Sequence, residues 1–359
     1  MVDSKQAPLD SAAAAKAAFA SVQDKPFPDD IFTAPELRWA VIGCGVIANQ
    51  MAQSLALAGR KLAGVANRTL SKAQAFAEQY GIEKVYESVE DLYADPGIDA
   101  VYITTPHNTH ITYLRDALAA GKHVLCEKAI TLNSAELDEA RAIADEHNVV
   151  LMDATTVLHM PLYQELRRRM DAGEFGRMNL AQLNFGSYKE YGDLTNRFYN
   201  RNLAGGAMLD IGVYALSVMR LFMASQPIEV VSLGNTCETG VDVAGGIVCR
   251  NAEQQLGVVG LTLHSKQPKR SIISFDKCYI EVNEYPRADH ATIVWTADGH
   301  REEVHAGTEA YALCYEMADL EKAVAGDDSK RELLDYASDV MELMTKLRAD
   351  WGVVYPEEE

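Results

Sequence analysis

The stretch LRWAVIGCGVIAN, residues 37–49, says the most about the fold of this chain. A short apolar run leads into the pattern G-x-G-x-x-A, and a helical pattern follows it. A dinucleotide site needs this order, because the strand ends in a tight turn at Gly43 and the missing side chain at Gly45 lets a pyrophosphate approach the backbone. The helix that follows offers unpaired N–H groups and the positive end of its dipole. The stretch therefore predicts a nucleotide site, with Val46 and Ile47 among its contacts.

Composition and charge exclude several classes of partner. The chain has 359 residues, enough for two domains, and 48% of them are hydrophobic. Lys and Arg total 33 against 52 Asp and Glu, which gives a net charge of -19. Because nucleic acids and anionic membrane surfaces attract basic proteins, we expect no nucleic acid and no membrane as partners.

The cysteines and the N-terminus indicate the compartment. The six cysteines are scattered and form no C-x-x-C pair, so we expect neither a disulfide framework nor a metal site. Reduced thiols of this kind are typical of a cytoplasmic protein. We expect no apolar run of membrane length. The Ala-rich segment near the start follows an acidic rather than a basic stretch, so it is not interpreted as a signal peptide.

The chain divides into three parts, of which residues 1–36 are an N-terminal extension. Its alanines favour a helix and its later prolines favour an extended arm. Two interpretations stand for this part: disorder, or packing on a neighbouring subunit.

Residues 37–155 alternate apolar runs with helical patterns. The predicted strands are 37–42, 61–66, 100–103, 122–126 and 149–152. The predicted helices between them include 70–80, 110–120 and 134–147. Alternation of this kind predicts an α/β fold with a doubly wound parallel sheet, a Rossmann domain, which binds ligands at the carboxyl ends of its strands.

The pattern changes in residues 156–359. Helices are predicted at 161–172, 207–222, 309–324 and 331–348. Strands are predicted at 179–185, 228–233, 246–249, 257–264, 271–275, 279–282 and 292–295. Because most of these strands follow one another without helices, we expect an α+β domain with a large, mostly antiparallel open sheet.

The residues after the second strand bear on the choice of cofactor. A carboxylate at this position would bind the adenosine ribose of NAD and repel the 2′-phosphate of NADP. The chain has Asn67 and Arg68 there, with Lys72 one turn on. These side chains can bracket a phosphate. The sequence therefore favours NADP, with NAD as the alternative.

Two further motifs carry groups suited to proton transfer. Lys128 lies at the carboxyl end of the predicted strand 122–126 and is expected to point into the ligand crevice, where desolvation would lower its pKa and make it a proton carrier. Asp210 and Tyr214 are four residues apart on a predicted helix and so share one face. A tyrosine beside a cation is a plausible proton donor to a carbonyl oxygen.

Together these motifs resemble the glucose-fructose oxidoreductase, inositol dehydrogenase and rhizopine catabolism superfamily (Gfo/Idh/MocA). The resemblance rests on VIGCGVIA, DAVYITTPHNTH (99–110), CEK (126–128) and NRFYNRNLAGGAMLDIGVYAL (196–216). Members transfer hydride between a nicotinamide and a hydroxyl or carbonyl carbon of sugars, polyols or cyclic alcohols. The tyrosine after LDIGV looks most like the dihydrodiol dehydrogenase and glucose-fructose oxidoreductase branch, which often prefers NADP.

The resemblance implies roles for particular residues. Lys128, Asp210 and Tyr214 match the positions of the family's catalytic groups. The cofactor contacts expected around the nicotinamide are Thr105, Pro106, His110 and Glu127. Arg197 is a candidate for substrate contact, and a structural use of its side chain stays open. The resemblance also implies a homo-oligomer, a dimer or tetramer, formed through the open sheet.

The chain departs from the family pattern at two positions. Ala129 stands where the family has a proline, so Lys128 lacks the restraint that a following proline imposes. Leu158 stands where many relatives have an arginine, so substrates that depend on that cation are in doubt. His159 lies next to it and is interpreted as a structural residue.

The expected function is NAD(P)-dependent hydride transfer on a sugar, polyol or cyclic diol. Tyr214 is expected to exchange a proton with the reacting oxygen, and Lys128 to hold that oxygen and keep the tyrosine's pKa low. Three alternatives stay open: a redox-assisted glycosidase, a sugar–sugar oxidoreductase with a permanently held cofactor, and a non-catalytic protein that senses NADP.

Overall fold

The structure is a computed structural model that describes residues 11–23 and 25–359. The part of the predicted extension that falls on residues 1–10 and 24 lies outside this description. The described residues form a parallel sheet and a larger, mostly antiparallel sheet, each with its own helices. The predicted fold class is confirmed.

The first sheet is parallel throughout, with the strand order β3-β2-β1-β4-β5-β6. Its strands are β1 (Trp39–Ile42), β2 (Gly64–Ala66), β3 (Lys84–Tyr86), β4 (Ala100–Ile103), β5 (His123–Cys126) and β6 (Leu151–Asp153). The sequence analysis missed β3, because this strand has three residues at the sheet edge and none of them is buried. The other strands are almost wholly buried, as apolar parallel strands between two helix layers must be.

The helices of the first part cover both faces of this sheet. They are α2 (Val46–Leu57), α3 (Leu70–Tyr80), α4 (Val89–Ala94), α5 (His110–Ala119) and α6 (Ser134–Glu146). The chain order of the strands reverses between β1 and β4. Ligands of open parallel sheets bind in the crevice at this switch point, outside the carboxyl ends of the strands.

The second sheet has eight strands in the order β14-β13-β12-β11-β7-β10-β9-β8. They are β7 (Met178–Gly186), β8 (Pro227–Thr236), β9 (Asp242–Asn251), β10 (Leu256–Thr262), β11 (Gln267–Phe275), β12 (Cys278–Asn283), β13 (His290–Trp295) and β14 (Arg301–His305). All neighbours are antiparallel except β7 and β10, which are parallel. The remaining helices are α7 (Pro161–Asp171), α8 (Val213–Phe222), α9 (Ala312–Val324), α10 (Asp328–Arg331) and α11 (Leu333–Asp350).

The described part of the N-terminal extension packs on its own chain. It contains the helix α1 (Ser11–Val22) and an arm in which Val22 and Ile31 are buried in the core. The ring of Phe27 lies 5.0 Å from the ring of Tyr311, next to α9. Disorder therefore does not describe these residues, and packing on a neighbouring subunit stays an interpretation.

One helical segment is long and apolar enough to be compared with a membrane span. The segment Arg201–Phe222 has 22 residues and a mean hydropathy of 1.3, and it is the one candidate for a membrane span among the described residues. The expectation that no apolar run reaches membrane length is therefore wrong. However, 78% of its most apolar window is buried inside the protein. Burial of this kind is typical of a core helix.

Candidate active site

The turn after β1 has the geometry of a phosphate-binding turn. Gly43 has a φ of +103°, and a Cβ there would lie 2.6 Å from Thr104 Oγ1, so a side chain is excluded. A Cβ at Gly45 would meet nothing within 4 Å, so open space lies in front of the backbone at this position. Gly45 is the N-cap of α2 and gives it no side-chain cap, and Val46 at the helix start is 66% exposed. Uncapped N–H groups facing open space fit a pyrophosphate.

The side chains predicted to select the cofactor lie at the end of β2. Asn67 donates a hydrogen bond from Nδ2 to the carbonyl oxygen of Thr69, 3.0 Å away, and so shapes the turn before α3. Arg68 and Lys72 are exposed. Burial raises the pKa of the Cys44 thiol to about 11, and Lys72 acts in the opposite direction. Lys72 therefore acts electrostatically on the phosphate-binding turn.

The loop after β4 is held by a histidine that the sequence analysis assigned to the cofactor. His110 is fully buried; its ring nitrogens lie 2.8 Å from the carbonyl oxygen of Thr105 and 2.9 Å from that of Ala129. Both nitrogens are thereby used within the protein. The expectation that His110 lines the nicotinamide ribose is corrected: it positions the loops that carry Thr105 and Lys128. Thr105 is half-buried and Pro106 is exposed, so both are accessible at the end of β4.

Lys128 and Asp210 meet beside the crevice. The Lys128 Nζ donates hydrogen bonds to the backbone oxygen of Asp210 at 2.8 Å and to its Oδ1 at 3.2 Å. The peptide bond between Lys128 and Ala129 is cis. Burial opposes the charged ammonium, yet the pKa of Lys128 is raised because Asp210 and Tyr214 act in its favour. The expected lowering of this pKa is wrong: the contact with Asp210 outweighs desolvation.

Tyr214 joins this pair from the start of α8. The Lys128 Nζ lies 4.9 Å from the centre of the Tyr214 ring. Asp210 lies in a π-helical turn, Met208–Gly212, and Tyr214 lies just beyond it, yet both reach Lys128. Burial raises the pKa of Tyr214, and Lys128 offsets part of this rise. The expectation of a low tyrosine pKa is therefore wrong in its net direction, although the lysine acts as expected.

Further cations surround Asp210 at the mouth of the site. Arg197 Nη2 lies 3.5 Å from Asp210 Oδ1, and the arginine side chain is 60% exposed. Burial raises the pKa of Asp210, but Lys128, Arg197 and Lys189 lower it more, and the net shift is downward. We call Lys128, Lys189 and Arg197 with Asp210 the Lys128 cluster.

His107 belongs to this neighbourhood and was missed by the sequence analysis. Burial lowers the pKa of His107 to about 3, and His110 and Lys128 act in the same direction, so the ring is neutral. Its Nδ1 lies 3.3 Å from the carbonyl oxygen of Ala204. The motif that contains His107 was recognised, but nothing in one sequence separates this histidine from its neighbours.

A second charged region, also missed, lies around Glu127, the residue before Lys128. Tyr102 donates a hydrogen bond to Glu127 Oε1. The carboxyls of Glu127 and of Asp153 in β6 raise the pKa of Glu316 on α9, and the guanidinium of Arg287 lowers it. Burial raises the pKa of Glu127 and raises that of Asp153 to about 6. We call Glu127, Asp153 and Glu316 the acidic cluster.

The positions that depart from the family pattern are structural. Leu158 is buried. His159 is fully buried, and its Nδ1 lies 3.1 Å from Asp319 Oδ2 while its Nε2 lies 2.8 Å from the backbone oxygen of Asp153. This arrangement agrees with the structural interpretation of His159. Within residues 11–23 and 25–359, no group of three or more His, Cys, Asp or Glu is placed to hold a metal ion.

Comparison with known families identifies the chain. Residues 37–155 match the family described as "Oxidoreductase family, NAD-binding Rossmann fold", and residues 163–281 match "GFO/IDH/MocA C-terminal domain". The chain belongs to the GFO/IDH/MocA oxidoreductase family. The resemblance drawn from the sequence motifs is confirmed, and the first sheet is the NAD-binding Rossmann domain of this family.

Curated relatives in this family are named trans-1,2-dihydrobenzene-1,2-diol dehydrogenase. The Mus musculus protein is 32% identical over 254 residues, which cover 69% of this chain and 75% of the relative. The Sus scrofa protein is 28% identical over 340 residues, which cover 90% of this chain and 99% of the relative. The similarity therefore extends over nearly the whole length of a dihydrodiol dehydrogenase.

Solved structures of GFO/IDH/MocA type share the fold. A 3-ketoreductase from Actinomadura kijaniata in complex with NADP and TDP-benzene has a TM-score of 0.75 at 24% identity and covers 88% of this chain and 98% of its own. A levoglucosan dehydrogenase in complex with NADH and levoglucosan has a TM-score of 0.76 at 19% identity and covers 87% and 97%. At these identities the likeness confirms the architecture.

Proposed function

We propose that this oxidoreductase transfers hydride between NADP and a hydroxyl or carbonyl carbon of a sugar, polyol or cyclic diol. The observation that carries the proposal is the convergence of Lys128, Asp210 and Tyr214 at the carboxyl end of β5. The Lys128 Nζ lies 3.2 Å from the aspartate Oδ1 and 4.9 Å from the tyrosine ring centre. A cation and a phenol at one point beside a nicotinamide site suit the chemistry of a C–O bond.

The proposed roles follow from the charges of these groups. Because Asp210 keeps Lys128 an ammonium, the lysine donates a hydrogen bond to the reacting oxygen and stabilises its negative charge. Tyr214 is the group that gives a proton to that oxygen or takes one from it. Asp210 orients the ammonium through two hydrogen bonds. The nicotinamide, when bound, supplies or accepts the hydride, and no metal is needed.

The preference for NADP rests on the side chains after β2. Arg68 and Lys72 are exposed there, and no carboxylate stands at the position that would bind an unmodified ribose. The bound NADP of the structurally similar 3-ketoreductase supports this choice. The bound NADH of the levoglucosan dehydrogenase keeps NAD as the alternative.

The substrate class rests on the names of the relatives. The curated relatives are named for a cyclic diol, and one structural neighbour holds levoglucosan. These names support a ring with neighbouring hydroxyl groups as the substrate of this chain. Arg197, at the mouth, is proposed to contact it.

We further propose a homo-oligomer formed through the open face of the second sheet. Apolar side chains stand exposed on its edge strand β8: Ile228 is 68% exposed, Val231 76% and Leu233 84%. An exposed apolar stripe of this kind is typical of a protein interface. A monomer at micromolar concentration in analytical ultracentrifugation would contradict this part of the proposal.

The proposed function is tested with the variant Tyr214→Phe on a panel of sugars and cyclic diols. General acid–base groups typically contribute about 10²- to 10⁴-fold, so we expect kcat to fall by at least about 100-fold with the cofactor Kd little changed. Tyr336→Phe is the matched control. The Tyr336 ring also lies near a cation, with the Arg220 guanidinium 5.0 Å from its centre, but this residue is not part of the Lys128 cluster. Unchanged turnover in Tyr214→Phe would remove the tyrosine from the mechanism.

The same panel separates the alternative functions. Release of a free sugar without net NADP turnover would identify a redox-assisted glycosidase. A cofactor that survives purification, seen in the ultraviolet spectrum of the isolated protein, would identify a sugar–sugar oxidoreductase. Tight cofactor binding with no turnover on any substrate would identify a sensor.

A further inference from the structure

The 353–359 segment, which follows α11, contacts the loop before the π-helical turn of the site. Val353 and Tyr355 are buried, and the Tyr355 hydroxyl donates a hydrogen bond of 2.7 Å to the carbonyl oxygen of Gly205. A short 3-10 helix, Pro356–Glu358, follows, and the Glu358 carboxylate accepts a hydrogen bond from the Tyr355 backbone N–H at 3.0 Å. Because a buried hydroxyl needs a partner, the contact with Gly205 fixes where the tyrosine lies.

Two consecutive glycines form the contact point, and neither has room for a side chain. A Cβ at Gly205 would lie 2.7 Å from the carbonyl oxygen of Arg197. Gly206 has a φ of +126°, and a Cβ there would collide with the Asp242 carboxylate. Asp242 is fully buried, and its Oδ2 accepts a hydrogen bond from the backbone N–H of Met208 at 2.6 Å. The backbone that leads into the π-helical turn is therefore held from several sides.

A short path of backbone contacts leads from this point to the Lys128 cluster. The backbone N–H of Asp210 donates a hydrogen bond to the carbonyl oxygen of Gly206 at 3.3 Å. The carbonyl oxygen of Asp210 in turn accepts a hydrogen bond from Lys128 Nζ at 2.8 Å. Tyr355 and Lys128 thus bind carbonyl oxygens of the same stretch, 205–210. A displacement of this stretch moves the oxygens that hold the ammonium.

The other end of the 353–359 segment is tied to the loop that follows Lys128. Glu358 accepts hydrogen bonds from Arg348 Nη2 at 2.8 Å and from Asn133 Nδ2 at 3.0 Å. Arg348 is buried, and its Nη2 also donates to the carbonyl oxygen of Leu132 at 2.5 Å. Such charge-assisted hydrogen bonds are among the stronger ones in proteins. Because Leu132 and Asn133 belong to the Rossmann domain, the segment joins this domain to the loop before the π-helical turn.

We propose that the 353–359 segment holds Asp210 against Lys128, and that Tyr355 is the positioning residue that sets this contact for catalysis. The inference rests on the proposed function, in which Lys128 and Tyr214 act on the substrate oxygen. Tyr355 is buried and acts through the backbone of residues 205–210. The contact matters for the rate because a misplacement of catalytic groups by about 1 Å can cost about 100-fold.

The variant Tyr355→Phe removes the hydroxyl and keeps the ring. We expect kcat to fall by about tenfold, with the substrate KM and the cofactor Kd little changed, because the loss falls on the placement of the reacting groups. Tyr163→Phe is the matched control: Tyr163 is also buried, and its hydroxyl donates to the carbonyl oxygen of Tyr285, again at 2.7 Å. Both variants should lower Tm, and only Tyr355→Phe should lower kcat. Unchanged kcat in Tyr355→Phe, or an equal loss in both variants, would overturn the inference.

A change at the other end of the segment tests the role of the segment as a whole. Glu358→Gln weakens the contacts with Arg348 and Asn133, and it should lower kcat in the same manner but by a smaller factor. Glu302→Gln is its control, because Glu302 also binds an arginine, Arg169 at 2.7 Å, and should leave kcat unchanged. Wild-type kcat in Glu358→Gln would contradict the claim that the segment holds the contact.

Hydrogen exchange measured by mass spectrometry separates failure of this inference from failure of the proposed function. In the cofactor-free protein, the amides of residues 205–212 should exchange roughly fivefold faster in Tyr355→Phe, as expected for the loss of one hydrogen bond, and at the wild-type rate in Tyr163→Phe. Unchanged exchange in Tyr355→Phe overturns the inference whatever the activity. A protein that turns over no substrate, yet shows this faster exchange, contradicts the proposed function and supports the anchoring of the 205–212 backbone by Tyr355.

Discussion

The consecutive residues Glu127 and Lys128 enter two regions of opposite charge. Lys128 enters the Lys128 cluster, where three cations surround the single carboxylate of Asp210 and lower its pKa. Glu127 enters the acidic cluster, where carboxyls outnumber cations: Lys128 and Arg287 act on Glu127, Arg287 also acts on Glu316, and the pKa of Glu316 is raised well above its usual value. Side chains alternate along an extended chain, so one strand end can supply opposite charges to opposite sides.

This contrast assigns different tasks to the two regions. A cation-rich region stabilises the negative charge that develops on a substrate oxygen. An anion-rich region favours a positively charged ring and disfavours a neutral one. The comparison therefore predicts that changes in the Lys128 cluster act on turnover, while changes in the acidic cluster act on cofactor binding and on pH dependence.

The largest expected effect is that of Lys128→Met, which removes the ammonium and keeps the length of the side chain. Loss of one donor to a developing oxyanion typically costs about 10²- to 10³-fold in kcat. We expect a fall of this size with cofactor affinity little changed. Glu127→Gln, one residue away, should show the converse: altered NADP⁺ affinity and a smaller change in kcat. Equal kinetic losses in both variants would remove the division of tasks.

The second effect concerns stability and its dependence on pH. Because the folded-state pKa of Glu316 is raised above the unfolded value of 4.5, its neutral form stabilises the fold fully below that value. As pH rises above it, ionisation favours the unfolded chain until the folded pKa is passed. The free energy of unfolding of Glu316→Gln should therefore increase relative to that of the wild type by up to about 1.4 kcal/mol per pH unit. Urea unfolding at several pH values measures this, and a constant difference would show that Glu316 is ionised in the fold.

The smallest expected effect is that of a change at Arg68, which belongs to neither the Lys128 cluster nor the acidic cluster. Arg68→Ala should weaken NADP binding by about tenfold, the equivalent of about 1.4 kcal/mol, and NAD binding much less. Arg250→Ala is the control, since Arg250 is a surface arginine paired with Glu229 on the second sheet. If NADP and NAD affinities fall equally, Arg68 only supports the loop.

The sequence predicted the parts of the site that follow local patterns. The turn at Gly43, the lysine at the end of β5 and the pair Asp210 and Tyr214 all come from motifs in which neighbours in sequence are neighbours in space. The two sheets followed in the same way from alternation of strands and helices, and the edge strand β3 was missed because its exposure removes the apolar pattern.

The acidic cluster and the pKa directions were out of reach for a physical reason. In the sequence, Glu316 does not differ from other helical glutamates. Only the packing of α9 against the strand ends buries its carboxyl group without hydrogen-bond partners. Likewise, the sequence indicated that Lys128 is desolvated, but the sign of its pKa shift depends on the distance of 3.2 Å to Asp210, a residue far along the chain. Tertiary contacts of this kind leave no local signature.

The central claim is that Lys128 and Tyr214 act on one substrate oxygen, and a double-mutant cycle tests it most directly. The values of kcat/KM are measured for the wild type, Lys128→Met, Tyr214→Phe and the double variant, at saturating cofactor. Residues that act as a unit are not additive. The double variant should therefore lose little more activity than the worse single variant. A double variant whose loss is the product of the two single losses would contradict the claim.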